Sequence, residues 1–144
     1  MASNPISIVN AIVTNLSAAS VLGSGRAAKD YSVIETTQEP TAVIGFRSMA
    51  GQRDTFGGLD SAAWVYRAEV FFKDKGSSSA LMDAIVTTSG KVYDSLRSDD
   101  TLQGTVEQIF AIRAERTPGE AFQTGTVTLY KVDFEIDVLE WPDG

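Results

Sequence analysis

The chain has no cysteine and no histidine among its 144 residues. Without cysteine there are no disulfides and no thiolate metal sites, a composition that suits a reducing cytoplasm. Without histidine the usual general base and the commonest metal ligand are missing. No stretch approaches the run of about 18 uncharged apolar residues that a transmembrane helix needs, so no membrane span is expected. Residues 1–5 lack the basic region of a signal peptide, and no export is expected. Basic residues are scarce: 12 Lys and Arg stand against 19 Asp and Glu, for a net charge of -7. Gripping DNA by neutralising its phosphates needs a dense basic surface and is not expected.

What is present fits one domain over residues 1–144, with 43% apolar residues to fill a single core. A helix is expected over residues 5–21. Asn4 is a good N-cap, and Pro5 falls where a missing N–H costs nothing. Ile8, Val9, Ile12, Val13, Leu16 and Ala19 recur at three- and four-residue spacing, and Gly23 and Gly25 supply the stop. Three strands are expected at residues 31–37, 41–49 and 62–73, the second with Gly45 as a candidate bulge. In the third, Trp64, Tyr66, Ala68, Val70 and Phe72 face one way; Val65, Arg67, Glu69, Phe71 and Lys73 face the other. A second helix is expected over residues 77–98, capped by Ser77, Ser78 or Ser79. Leu81, Ile85, Val92 and Leu96 make its stripe, flanked by Met82, Val86 and Tyr93, and Gly90 would permit close packing on the sheet.

The joint at residues 99–106 hands this helix to two last strands, at residues 105–115 and 126–139. Val106, Phe110 and Ile112 are expected to face the core from the first. Thr128, Tyr130, Val132, Phe134, Ile136 and Val138 do so from the second, which carries Lys131 and an acidic row, Asp133, Glu135 and Asp137, on its other face. The order α-β-β-β-α-β-β predicts an α+β domain: a single mainly antiparallel sheet of about five strands with two helices packed on one face. Two connections are long for hairpins, residues 50–61 and 117–125. Both are candidate contact arms, with Arg53, Asp54 and Phe56 on the first and Glu120 and Phe122 on the second.

Chemistry-bearing motifs are thin. Gly23-Ser24-Gly25-Arg26 follows a helix, where a phosphate-binding loop must follow a strand, so it reads as a helix stop. Asp133, Glu135 and Asp137 fan out in parallel along a strand, which suits a solvated surface better than convergent metal ligation. Glu69, between Ala68 and Val70, reads as a structural ion-pair partner of Arg67 or Lys73. There is no Ser-x-x-Lys and no Gly-x-Ser-x-Gly. Trp64 and Trp141 read as core and edge packing. Catalysis, metal binding and cofactor binding are not expected.

A resemblance is carried by five features: the N-terminal amphipathic helix, the aromatic strand from Trp64 to Phe72, the segment Leu81-Met82-Asp83-Ala84-Ile85, the joint Asp100-Thr101-Leu102-Gln103-Gly104-Thr105-Val106, and the last strand Tyr130-Lys131-Val132-Asp133-Phe134-Glu135-Ile136. Together they resemble bacteriophage tail terminator proteins of the long, non-contractile class, a tail-completion and head-to-tail joining family. Gln103 stands where those proteins commonly have glycine. The resemblance implies a virion protein, made in the host cytoplasm, that assembles with itself as a homo-hexameric ring. Such a ring caps the head-proximal end of the tail tube, stops polymerisation of the tail tube protein and meets the head-tail connector protein. DNA passes through its lumen without specific binding, and the acidic row Asp133, Glu135 and Asp137 is a candidate lumen strip. Two alternatives stand beside it. One is another neck or minor tail component; the other is a non-viral module binding a small apolar ligand, with Tyr66, Phe72, Phe110 and Phe134 around its pocket.

Overall fold

The computed structural model describes residues 5–30, 40–53, 60–73, 77–99, 102, 108–116, 122–124 and 127–140. Its elements run α1 (Pro5–Leu16), β1 (Ala27–Ala28), β2 (Thr41–Arg53), β3 (Asp60–Lys73), α2 (Ser78–Ser98), β4 (Gln108–Arg116), β5 (Phe122–Thr124) and β6 (Val127–Glu140). The strands form one mixed, mostly antiparallel sheet in the order β1-β2-β3-β6-β4, with β5 also paired to β6. Only β1 is parallel, to the start of β2. The α+β class and the mainly antiparallel sheet are as the periodicity predicts.

The spine is the β3–β6 ladder, unbroken from Ala62↔Glu140 to Lys73↔Leu129. Its alternation sorts the side chains. Tyr66, Ala68, Val70 and Phe72 of β3 meet Val132, Phe134, Ile136 and Val138 of β6 on one face, all buried. Both helices cover that face, α1 through Ile8, Ile12 and Leu16 and α2 through Leu81, Ile85, Val92 and Leu96. Ser77 caps α2, its hydroxyl accepting from the Ala80 N–H at 3.2 Å. A second, small apolar cluster of Val43, Phe71 and Leu129 lies on the opposite face.

Several expectations are corrected. α1 ends at Leu16 rather than residue 21, because Ala18, Ala19 and Ser20 are exposed and offer no anchor. The chain instead folds back through Leu22 N–H to Leu16 O at 3.1 Å and Gly23 N–H to Ala18 O at 3.1 Å, which returns Leu22 to the core. The strand expected at residues 31–37 lies outside the described residues, while the pair Ala27–Ala28 forms an unexpected one. The irregularity in β2 falls between Phe46 and Ser48, not at Gly45. A matching shift between Ile109 and Ala111 turns both Ile109 and Ile112 toward the core and leaves Phe110 at the bulge. Met82, Val86 and Tyr93 are exposed beside the buried stripe of α2. A Cβ at Gly90 would meet nothing within 4 Å, so this glycine serves no close approach.

Leu102 is the anchor of the joint. It is fully buried, yet it holds a φ of +47°. Its N–H donates to Asp99 O at 3.0 Å, while Asp99 Oδ2 accepts from Asn15 Nδ2 of α1 at 2.9 Å. A left-handed leucine costs about 1–2 kcal/mol, whereas burying one gains about 1.5–3 kcal/mol. Burial wins, and the conformation persists because the side chain has a place in the core. Replacing Leu102 with Ala should therefore lower unfolding free energy by about 2–5 kcal/mol in urea titrations, and an unshifted midpoint would contradict the anchor. Gly90→Ala should raise it by about 0.5–1 kcal/mol, since the site has room and helical φ.

Candidate assembly surface

The face of the sheet away from the helices is built of charges. Alternation along β6 puts Lys131, Asp133, Glu135 and Asp137 there, half-buried rather than fully solvated. Glu135 lies 3.2 Å from Arg47 and 3.1 Å from Arg113, and Asp137 lies 3.0 Å from Arg113. Lys131 Nζ is 3.1 Å from Glu69 and 3.5 Å from Asp133, so it is committed chiefly to Glu69. Glu69 thus does form a structural pair, across the β3–β6 ladder. On this face Arg47, Arg67, Lys73, Arg113 and Lys131 stand among Glu69, Asp133, Glu135 and Asp137. The acidic row does not make a bare negative strip, because outer strands β2 and β4 lay arginines over it. Sequence spacing along β6 alone carries no sign of this; the cross-strand register supplies it.

The two irregularities line up. Arg47 sits at the level of Val65 and Tyr66, which pair with Asp137 and Ile136, and the β4 shift falls opposite Val138 and Asp137. Bulges bend a strand and increase its twist. Here the two register shifts fall at the same level of the sheet. Phe46, Trp64 and Tyr66 mark that level on the helix side, Phe46 edge-on to Trp64 at 5.6 Å and Trp64 stacked on Tyr66 at 5.8 Å. The Arg47–Glu135–Arg113–Asp137 chain marks it on the other.

Both expected arms shrink. Arg53 is the last residue of β2 and pairs with Asp60, so the first connection is residues 54–59 rather than 50–61. Asp54 and Phe56 lie outside the described residues, as do Glu120 and Trp141. Phe122 opens β5, opposite Leu129, so it belongs to a strand. The chain leaves the β6 ladder opposite Val132 and rejoins it opposite Leu129, with residues 117–121 between. Segments 54–59 and 117–121 thus depart from opposite ends of the sheet. The ladder from Asp60 to Phe71 puts roughly 36 Å between their points of departure.

The described parts of the sheet's borders are largely unpaired. Among the described residues, only Ala27–Ala28 pairs with the outer side of β2, at Ala42 and Val43, and no strand pairs with the outer side of β4. Each border has a distinct neighbour on the helix side, exposed Phe46 on β2 and exposed Ala114 on β4.

No family model matches this chain. No curated protein matches it either. Its chemistry has to be judged from its own surfaces. Among the described residues no group of three or more Asp and Glu could hold a metal ion, and no helix is long and apolar enough to cross a membrane. Tyr66, Phe72 and Phe134 are packed in the core; the side chain of Phe110 is outside the description. A groove of about 670 Å³ separates the end of α1 from α2, lined by Asn15, Ser20, Lys91, Asp94, Ser95 and Asp99 among others. Its lining mixes polar and apolar side chains, Ala18 and Val21 among the latter.

Asp133 has a displaced titration. Burial pushes its carboxyl above the ordinary 3.8; Lys131 and Arg67 pull it back, and Glu69 adds to the rise. A raised acid binds its proton more tightly when folded, so stability falls as pH rises from about 3.8 through the raised value and then stays level. In Asp133→Asn that loss is absent. The stability difference between variant and parent should shift in the variant's favour across this window in pH-resolved denaturation, and a difference independent of pH would refute the assignment.

Proposed function

We propose that the chain is a structural ring subunit of a phage tail, ending the tube at its head-proximal side and joining it to the head connector. The observation that carries this is that, among the described residues, the outer side of β4 is unpaired and that of β2 is paired only at Ala42 and Val43. Three successive antiparallel pairings, β2–β3, β3–β6 and β6–β4, make β2 and β4 run in opposite directions. A second copy in the same orientation would therefore offer its β4 antiparallel to β2. The two borders are different surfaces, which is what a heterologous, head-to-tail contact requires, and such contacts give a ring where the rotation closes. Segments at opposite ends of the sheet would serve two axial partners, tube on one side and connector on the other.

The charge lattice changes how a DNA passage is pictured. A face of mixed charge offers a sliding duplex neither strong attraction nor strong repulsion, so Glu135 and Asp137 would act with their arginines, and Asp133 with Lys131, rather than as a negative lining.

In a phage lacking this chain, electron microscopy should show tails of uncontrolled length. Tails of normal length without heads would reassign it to joining alone, and normal virions would sink the proposal. A variant with residues 54–59 replaced by a short Gly-containing turn should fold with an unchanged circular dichroism spectrum but fail to complete tails. If it completes them, that segment is no contact arm.

A further inference from the structure

On the outer face, beside the stretch of β2 that pairs with β1, lies a notch of about 360 Å³ lined by Lys29, Gly45, Phe46, Arg47, Arg67 and Glu69, with Val43 and Ile44. Gly45 stands opposite Arg67 in the β2–β3 ladder, and a Cβ there would meet nothing within 4 Å, so the glycine leaves the space over the arginine open. The Nε of Arg67 is buried without a hydrogen-bond partner. The neighbouring carboxylates are already engaged: Glu69 by Lys131, and Glu135 by Arg47 and Arg113. Asp133 feels the charge of Arg67, but its close cation is Lys131 at 3.5 Å. Half-buried guanidinium groups ordinarily hold a planar anion in two parallel hydrogen bonds. Arg67 has the fork and the room but no such anion.

We infer that this notch is a carboxylate-binding site, with Arg67 as its floor and Lys29 at its mouth. A single planar monoanion matches the guanidinium fork, while Glu69 in the wall disfavours a dianion. A nucleic-acid backbone would bring its row of phosphates against Glu135 and Asp137. The site stands whether or not the chain builds a ring. Two sources share the chemistry: an acidic side chain of a second copy, reaching over the β2 border, and a free small carboxylate.

The test is nitrogen-15 NMR of the arginine side chains during titration with sodium acetate at constant ionic strength. The Arg67 Nε–H should show a saturable shift, while the Arg113 Nε–H, whose guanidinium is already paired, should not. Arg67→Gln and Lys29→Gln should each weaken acetate binding about tenfold or more, followed through the neighbouring Gly45 backbone amide. Lys29 is exposed, so its variant remains informative should Arg67→Gln fail to fold. No saturable shift, or an equal shift at Arg113, overturns the site. Sedimentation then separates the sources. Association of copies weakened about tenfold by either substitution assigns the carboxylate to a second copy; unchanged association with acetate binding lost assigns it to a free ligand.

Discussion

Everything in this molecule follows from one sheet that is apolar on one side and ionic on the other. The β3–β6 ladder runs without a bulge, so the period of two is kept strictly and every even residue of its centre falls on the same face. That face must be covered, and α1 and α2 cover it. Burying a large apolar side chain is worth about 1.5–3 kcal/mol, whereas an exposed ion pair gives about 0–1 kcal/mol. Stability therefore resides on the helix side. The ionic side contributes register and surface character, since its half-buried carboxylates tolerate their position only with cations laid over them.

The coupling between the two helices depends on very little sequence. Asn15 of α1 donates to Asp99 at the end of α2, Ser95 Oγ donates to Asn15 O at 3.4 Å, and Leu102 plugs the core three residues after Asp99. One hydrogen-bonded turn thus fixes where α2 stops and where the chain departs toward β4.

Much of the fold was legible from periodicity because the central strands and α2 are regular. The stripe Leu81, Ile85, Val92 and Leu96 and the alternations of β3 and β6 were read correctly for that reason. The misreadings cluster where regularity breaks. A bulge at Phe110 changes which isoleucines face inward, and no residue type announces it. The end of α1 was placed too late because Gly23 is the obvious stop, while the deciding factor was the lack of an apolar anchor at residues 17–20. The candidate surface was harder still. The acidic row of β6 was visible, but Arg47 and Arg113 reach it from strands distant in sequence, and the open floor above Arg67 exists only because Gly45 is its cross-strand neighbour.

On the proposed ring reading the aligned register shifts have a consequence for growth. A flat sheet with two free borders of opposite sense is a template that can add copies indefinitely, which is how fibrils begin. A bend repeated in every copy would turn that extension, which closes where the rotation brings the last copy back to the first and otherwise winds into a helix. The aligned bulges at Arg47 and Phe110 would thus act as a counting device: the sharper the bend per copy, the fewer copies complete the circle.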